Sequence, residues 1–344
     1  MRIVLCYPVE PRHVARIQAV APDADVVDAG QERVAVELPE ADIFCGHPKV
    51  PVPWHEVVAR GRLRWIQSSA AGLDHCLVPE VVESPIIVTS ASGVLANQVA
   101  EHALALVLAC TRRLPLFLGQ QSRREFVRRP TRDLTGATVG IVGLGGVGRR
   151  IVEVLAPFRV RILATDWFPI AKPDAVEFLG PPDSLPELLP QLDVLLLCAP
   201  LTAATRGMID AAALEALKPG AVLVNVARGP LIDEQALAEA LASGRLDAAA
   251  LDVTPQEPPA PASPLWTAPR LLLTPHVAGQ SACRIDTMTD FFCANLEKYL
   301  AGRTLRNLVD KRLGFPPPVS PSDGPRCDEA EDGTTRGAAG TAPQ

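Results

Sequence analysis

The sequence has no excess of positive charge, no long apolar run and no paired-cysteine motif, and each absence removes a class of function. Thirty-three Lys and Arg stand against 39 Asp and Glu, a formal net charge of −6. Nothing in that balance attracts a polyanion, so nucleic acid is not an expected partner. The most apolar stretch, residues 103–110, ends at Arg112 and Arg113. It falls far short of the roughly 20 residues that span a bilayer, and no membrane association is expected. The opening MRIVLCYP is too short for a signal-peptide core, lacks a small-residue cleavage site and reads as a first β-strand. The eight cysteines include no CxxC pair, which fits free thiols in a reducing cytoplasm, the expected location. No metal site and no internal repeat are expected.

What remains is an ordinary composition, 48% hydrophobic and 21% charged over 344 residues, with the length of about two domains. Short apolar runs at 3–5, 34–36, 43–45, 65–67 and 86–89 read as strands, and 57–60 as part of a helix. Such alternation predicts a parallel, doubly wound α/β sheet. Residues 97–118 read as one long, mostly apolar helix, buried between domains or subunits. A second, more regular βα series follows, with strands at 138–142, 161–165, 194–198, 221–224, 248–251 and 271–274 and helices such as 148–155 and 234–243. A last helix is expected over 286–302. From Pro316 the composition turns to Pro, Ser, Gly, Asp and Thr, and residues 315–344 are expected to form a disordered tail.

The sharpest motif is Gly143-Leu144-Gly145-Gly146-Val147-Gly148, after the strand VGIV and before the helical RRIV. In a G-x-G-x-x-G turn the first glycine allows the tight bend. The second lets the backbone approach a pyrophosphate, and the third lets helix and strand pack closely. The pyrophosphate then sits at the positive end of the helix. The next strand ends in Asp166, eighteen residues past the last glycine. A carboxylate there accepts both ribose hydroxyls and repels a 2′-phosphate, which points to NAD rather than NADP.

Three further polar residues follow predicted strands. Arg228 comes after VLVNVA, Glu257 five residues past Asp252, and His276 after LLLTP. Ligands of open α/β sheets bind outside the carboxyl ends of the strands, so all three should face the cofactor. Arginine is a planar fork suited to a carboxylate. Histidine is the natural proton donor to a ketone oxygen that gains negative charge on reduction. A neighbouring carboxylate, Glu257, would hold and orient the imidazolium.

With these motifs in view, the sequence resembles the D-isomer-specific 2-hydroxyacid dehydrogenase family. The matching stretches are WIQSSAAGLDH, QVAEHALALVLA, TVGIVGLGGVGRRI, PLTAATRGMID, ALKPGAVLVNVARGPLIDEQALAEAL, ALDVTPQEP and LLLTPHVAG. The resemblance covers residues 1 to about 312 and implies two Rossmann-like domains with the active site in the cleft between them. Residues 1–96 with 287–314 would be the substrate-binding domain, completed by the last helix, and 97–286 the NAD-binding domain. It implies that Arg228 binds and polarises the substrate and that Glu257 pairs with the acid/base His276. The turn Ala70, Ala71, Gly72 would offer backbone N–H groups to the substrate carboxylate. Pro200, Thr205, Ala227 and Asp252 would line the cofactor, together with His276 and the glycine turn, Gly146 and Val147 included. A small 2-oxo or 2-hydroxy acid is the implied substrate and a homodimer the implied assembly.

This sequence departs from the family in places. Position 146 is Gly where relatives often carry a larger or charged residue, and Phe126 stands where they often show Trp. Cys76, close to the substrate turn, reads as a small hydrophobe. Glyoxylate and hydroxypyruvate are the leading substrates. A 3-phosphoglycerate dehydrogenase is the alternative, with Arg60, Arg62 and Arg64 as candidate phosphate ligands. An NAD-sensing corepressor-like binding protein is a further reading.

Overall fold

The computed structural model describes residues 1–318. Five strands form the first sheet: β1 (Arg2–Cys6), β2 (Asp25–Asp28), β3 (Ile43–Gly46), β4 (Trp65–Ser68) and β5 (Ile87–Thr89), in the order β2-β1-β3-β4-β5. Seven form the second: β6 (Thr138–Val142), β7 (Arg161–Thr165), β8 (Val176–Gly180), β9 (Val194–Leu197), β10 (Ala221–Asn225), β11 (Leu246–Leu251) and β12 (Leu271–Leu273), in the order β12-β11-β10-β9-β6-β7-β8. Every pairing is parallel. In β3, β4, β6, β9 and β10 every residue is buried. Continuous apolar runs of this kind are what a parallel sheet covered on both faces requires. The expected two-sheet α/β architecture is present.

Helices α1 (Pro11–Val20), α2 (Gly30–Glu37), α3 (Trp54–Arg60) and α4 (Pro79–Glu83) alternate with the first five strands. Next come α5 (Ala96–Thr111) and α6 (Leu114–Ser122), then α7 (Gly146–Leu155), α8 (Leu185–Leu188), α9 (Ala211–Ala216) and α10 (Glu234–Ala242). The last, α11 (Arg284–Leu300), returns to the first sheet. Its Phe292 and Leu296 are buried with Ile3, Leu5, Ile17 and Trp65, and beyond it Leu308 bridges Thr89. Each sheet carries a core on both faces, and α5 packs Ala100, Ala103, Leu106 and Val107 into the core that holds Ile141 and Ile151.

Three local expectations need correction. Residues 34–36 are not a strand but part of α2, where Val34 is buried and Val36 is 76% exposed. A three-residue apolar–small–apolar pattern suits either period, and the surrounding Gln, Glu and Arg favour helix. The strand lies earlier, at Asp25–Asp28, where acidic ends hid two valines.

Residues 97–118 are not one helix. The chain breaks after Thr111, Arg113 takes a left-handed φ of 54°, and α5 and α6 meet at 66°. Pro115 explains the break, since its ring would clash with the Thr111 carbonyl one turn back. Neither helix is long and apolar enough by itself to cross a membrane. Phe315, placed at the head of the tail, bridges Asp310 and sets its ring 6.3 Å from that of Phe168. Residues 319–344 lie outside the described residues.

Candidate active site

The glycine turn follows β6, where the strand order reverses toward β9 on one side and β7 on the other. That reversal opens a crevice at the carboxyl ends of the strands. Gly143 has φ 93°, and a Cβ there would fall 2.7 Å from the Ala199 nitrogen. A Cβ on Gly148 would fall 2.1 Å from the Gly143 oxygen. Gly145, by contrast, would meet nothing within 4 Å. Two glycines are thus demanded by the protein's own packing, and the third faces open space where a pyrophosphate could approach. No side chain caps the start of α7, so the N–H groups of its first turn, Gly146 and Val147 among them, remain for an anion. These residues fit a dinucleotide.

Gly146 also has a role within the protein. A Cβ there would come 2.7 Å from the Cα of Gly93, in the segment joining β5 to α5. The larger residue of the relatives would push this segment away.

Asp166 ends β7 as expected, but its carboxylate already works on the turn. One oxygen accepts the Leu144 N–H at 2.6 Å and the other the Phe168 N–H at 2.8 Å. A carboxylate has about four acceptor sites, so capacity for ribose hydroxyls remains. Thr205 ties its own loop, donating to the Pro200 carbonyl at 2.7 Å and accepting the Thr202 N–H at 2.8 Å. Ala227 is buried, its N–H bound to Asn225 Oδ1.

Arg228 leaves the carboxyl end of β10 and crosses to the first sheet's substrate turn. Its guanidinium lies against Gly72, with Nε 3.3 Å from Asp74 Oδ2 and Nη1 donating to the Ala227 carbonyl at 2.7 Å. Ala70 spends its N–H on Ser68 Oγ and its carbonyl on Ala91. Among the described residues the N–H groups of Ala71 and Gly72 have no acceptor. They sit beside a guanidinium, as a carboxylate site requires. The glycine after Arg228 is equally necessary: a Cβ on Gly229 would fall 1.9 Å from the Thr254 carbonyl carbon. Only glycine lets the Arg228 loop lie on the loop that leads to Glu257.

His276 Nδ1 is 2.7 Å from Glu257 Oε2, and both side chains are partly exposed. His276 has a left-handed φ of 53°, a sparsely populated conformation for a residue with a side chain. Its N–H is held by the carbonyls of Asp252 and Thr274. Asp252, 1% exposed, anchors the whole loop. Its carboxylate accepts the Thr274 hydroxyl at 2.6 Å, the Val277 N–H at 2.9 Å and the Ala278 N–H at 2.8 Å. His102 on α5 reaches Thr274 Oγ1 at 3.0 Å. Asp252, read in the sequence as lining the cofactor, here sets the backbone that presents His276.

The structure also brings together two histidines that were not singled out from the sequence. His47 follows β3, at the point where the first sheet's order reverses between β1 and β3. Its ring stacks on that of His75, with centroids 4.0 Å apart and planes 14° apart. Burial, with the charges of Arg228, Lys49, His276 and Arg284 nearby, pushes His47 down to about 4. Burial, then His47 and Arg228, push His75 down to about 3. Arg284 opens α11 half-buried. A histidine at a strand end was the available signal for His47; His75 lay inside the quoted GLDH.

Known proteins are similar to this chain. Residues 104–278 match the family described as D-isomer specific 2-hydroxyacid dehydrogenase, NAD binding domain. A D-3-phosphoglycerate dehydrogenase of Mycobacterium bovis is 32% identical over 285 residues, covering 81% of this chain and 53% of its own length. A glyoxylate reductase of Thermofilum pendens is 35% identical over 266 residues, covering 74% of this chain and 77% of its own. The chain spans about half the length of the first curated relatives it matches. Among solved structures, a D-isomer specific 2-hydroxyacid dehydrogenase from Xanthobacter autotrophicus Py2, in complex with NADPH and MES, is 30% identical. It superposes with a TM-score of 0.78 over 91% of this chain and 99% of its own. On these grounds the chain, with its dinucleotide turn and its Arg228, Glu257 and His276, belongs to the D-isomer specific 2-hydroxyacid dehydrogenase family.

Proposed function

We propose that this chain is an NAD-dependent oxidoreductase that interconverts a small 2-oxo acid and its 2-hydroxy acid, with glyoxylate and hydroxypyruvate as the simplest candidates. The observation that carries the reading is the meeting of Arg228 with the Ala71–Gly72 turn across the cleft, on the side where Glu257 and His276 pair. The turn's N–H groups and the guanidinium hold the substrate carboxylate, and the same guanidinium polarises the adjacent carbonyl. When bound, NAD supplies or accepts the hydride at the carbon. His276, held at Nδ1 by Glu257, gives a proton to the ketone oxygen in reduction and takes it back in oxidation. The glycine turn, the first turn of α7 and Asp166 hold the dinucleotide. Loss of nicotinamide absorbance on mixing NADH with a panel of 2-oxo acids tests this. No turnover with any member would overturn it.

The names of several relatives favour a second reading, oxidation of 3-phosphoglycerate. The arginines considered for its phosphate do not supply a site. Arg60 pairs with Glu40 and Glu56, and Arg62 with Glu40 and Asp42. They and Arg64 precede β4, at the end of the sheet away from the cleft.

A homodimer is part of the proposal. Leu114, Leu118, Phe126 and Val127 are 49%, 64%, 105% and 45% exposed along α6 and the arm that follows. Apolar surface gathered in this way is characteristic of an interface. Light scattering of Leu118→Asp with Phe126→Asp should show a monomer where the parent chain shows a dimer. The free thiols also suit a reducing cytoplasm.

A further inference from the structure

The loop that leaves β7 carries Asp166 and then three large apolar side chains. Trp167 and Ile170 are 49% and 54% exposed, while Phe168 between them is half-buried. The cover comes from the far end of the described chain. The Phe315 ring lies 6.3 Å from that of Phe168 with the planes at 68°, edge to face, a favoured geometry for aromatic pairs. Neither ring belongs to the cores that cover the two sheets, so the pair is not a product of packing the interior.

Phe315 is fixed to the first sheet. Leu308 bridges Thr89, and the Val309 N–H donates to the Val88 carbonyl at 2.9 Å. Lys311 Nζ donates to the carbonyls of Val81, at 3.0 Å, and Ser84 at the end of α4. Asp310 Oδ1 accepts the N–H groups of Arg312 at 2.9 Å and Leu313 at 3.2 Å, and the Gly314 N–H returns to the Asp310 carbonyl at 2.8 Å. Phe168 belongs to the second sheet, so the aromatic contact runs from one sheet's domain to the other's.

Phe168 is also joined to the ribose acid. Its N–H donates to one Asp166 oxygen at 2.8 Å, while the other oxygen accepts the Leu144 N–H of the glycine turn at 2.6 Å. Further along, Arg149 Nη1 on α7 donates to the Ala171 carbonyl at 2.8 Å. The loop is thus tied to the glycine turn and α7 through its backbone, and to the first sheet through the Phe168 ring. We infer that Phe315 is a positioning residue for the dinucleotide: by holding Phe168 it fixes the loop whose N–H orients the Asp166 carboxylate toward the adenosine ribose. This rests on the reading of the glycine turn and Asp166 as a dinucleotide site. Without Phe315 the Phe168 ring loses its cover, and the cost of ordering the loop then falls on cofactor binding.

The test measures the affinity of the full chain for NADH, by fluorescence, and for ADP-ribose, by calorimetry. ADP-ribose carries the adenosine ribose and lacks the nicotinamide. Phe315→Ala should weaken both by the same factor, about 2–10-fold, the worth of an aromatic pair, while kcat at saturating NADH holds. Phe315→Leu should retain part of the affinity. Phe168→Ala should lose as much as Phe315→Ala, and the double variant no more than either, because the two rings act as one contact. Unchanged affinity in Phe315→Ala, losses that add in the double variant, or a loss confined to NADH would overturn the role of Phe315 while leaving the cofactor site standing. A parent chain that binds neither NADH nor ADP-ribose would overturn the dinucleotide reading itself, and this role with it.

Discussion

Gly72 and Arg228 lie in loops that follow strands of different sheets, yet they touch so closely that a Cβ on Gly72 would fall 1.5 Å from Arg228 Nη2. The contact places a fixed charge over the backbone N–H groups of the substrate turn. Gly72→Ala should therefore displace the guanidinium and lower kcat/KM for 2-oxo acids by about 10–100-fold, the cost of losing one charged contact. Arg228→Lys should also remain poor, because a point charge cannot reproduce the two-pronged contact. Steady-state kinetics with glyoxylate check both, and near-parental kcat/KM in either variant would show that this contact does not serve the substrate.

The Glu257–His276 pair makes a prediction about rate. His276→Ala should lower kcat by about 10²–10⁴-fold, the range for removal of a general acid, while NADH binding measured by fluorescence changes little. In Glu257→Gln the carboxylate that holds His276 Nδ1 at 2.7 Å gives way to a neutral amide. The rate kcat should fall by about 10–100-fold, the worth of a charge-assisted hydrogen bond. Near-parental kcat would mean that Glu257 does not position the proton donor.

Asp166 has two jobs, and its replacement should show both. The parent chain should prefer NADH to NADPH, since a carboxylate repels the 2′-phosphate. Asp166→Ala should narrow that preference and also raise the KM for NADH, because the Leu144 and Phe168 N–H groups lose their acceptor. Equal kcat/KM for the two cofactors in the parent would refute the first job. An unchanged NADH KM in the variant would refute the second.

The stacked histidines couple stability to pH. Burial holds His47 near 4 and His75 near 3, both below the ordinary 6.5. As pH falls below about 6.5, the unfolded chain takes up protons at these two sites and the folded chain does not. Stability is then lost progressively until about pH 4 to 3, where the folded state protonates too. The melting temperature should therefore fall between pH 7 and pH 5. In His75→Phe the fall should be shallower over that interval, before most carboxylates titrate. An identical slope in parent and variant would count against the buried, neutral pair.

The sequence by itself determined the features that rest on local chemistry. Glycines at 143, 145 and 148 between an apolar strand and a helix can do little else, and Arg228, Glu257 and His276 each follow a recognisable strand end. Short strands of mixed composition were not legible. Asp25–Asp28 is flanked by charge and pairs only through the sheet, while the valines of Gly30–Glu37 mimic a strand until helix packing buries one and exposes the other. Tertiary structure alone decided how the pieces serve one another. Asp252 proved to be the anchor of the His276 loop and Gly229 the close approach to Thr254. Gly146 proved to be the contact for Gly93, and His47 and His75 stacked on each other from two separate segments. The reason is physical: a backbone pattern of period 2 or 3.6 is written in neighbouring residues, whereas charge, burial and close approach depend on residues tens to hundreds of positions apart.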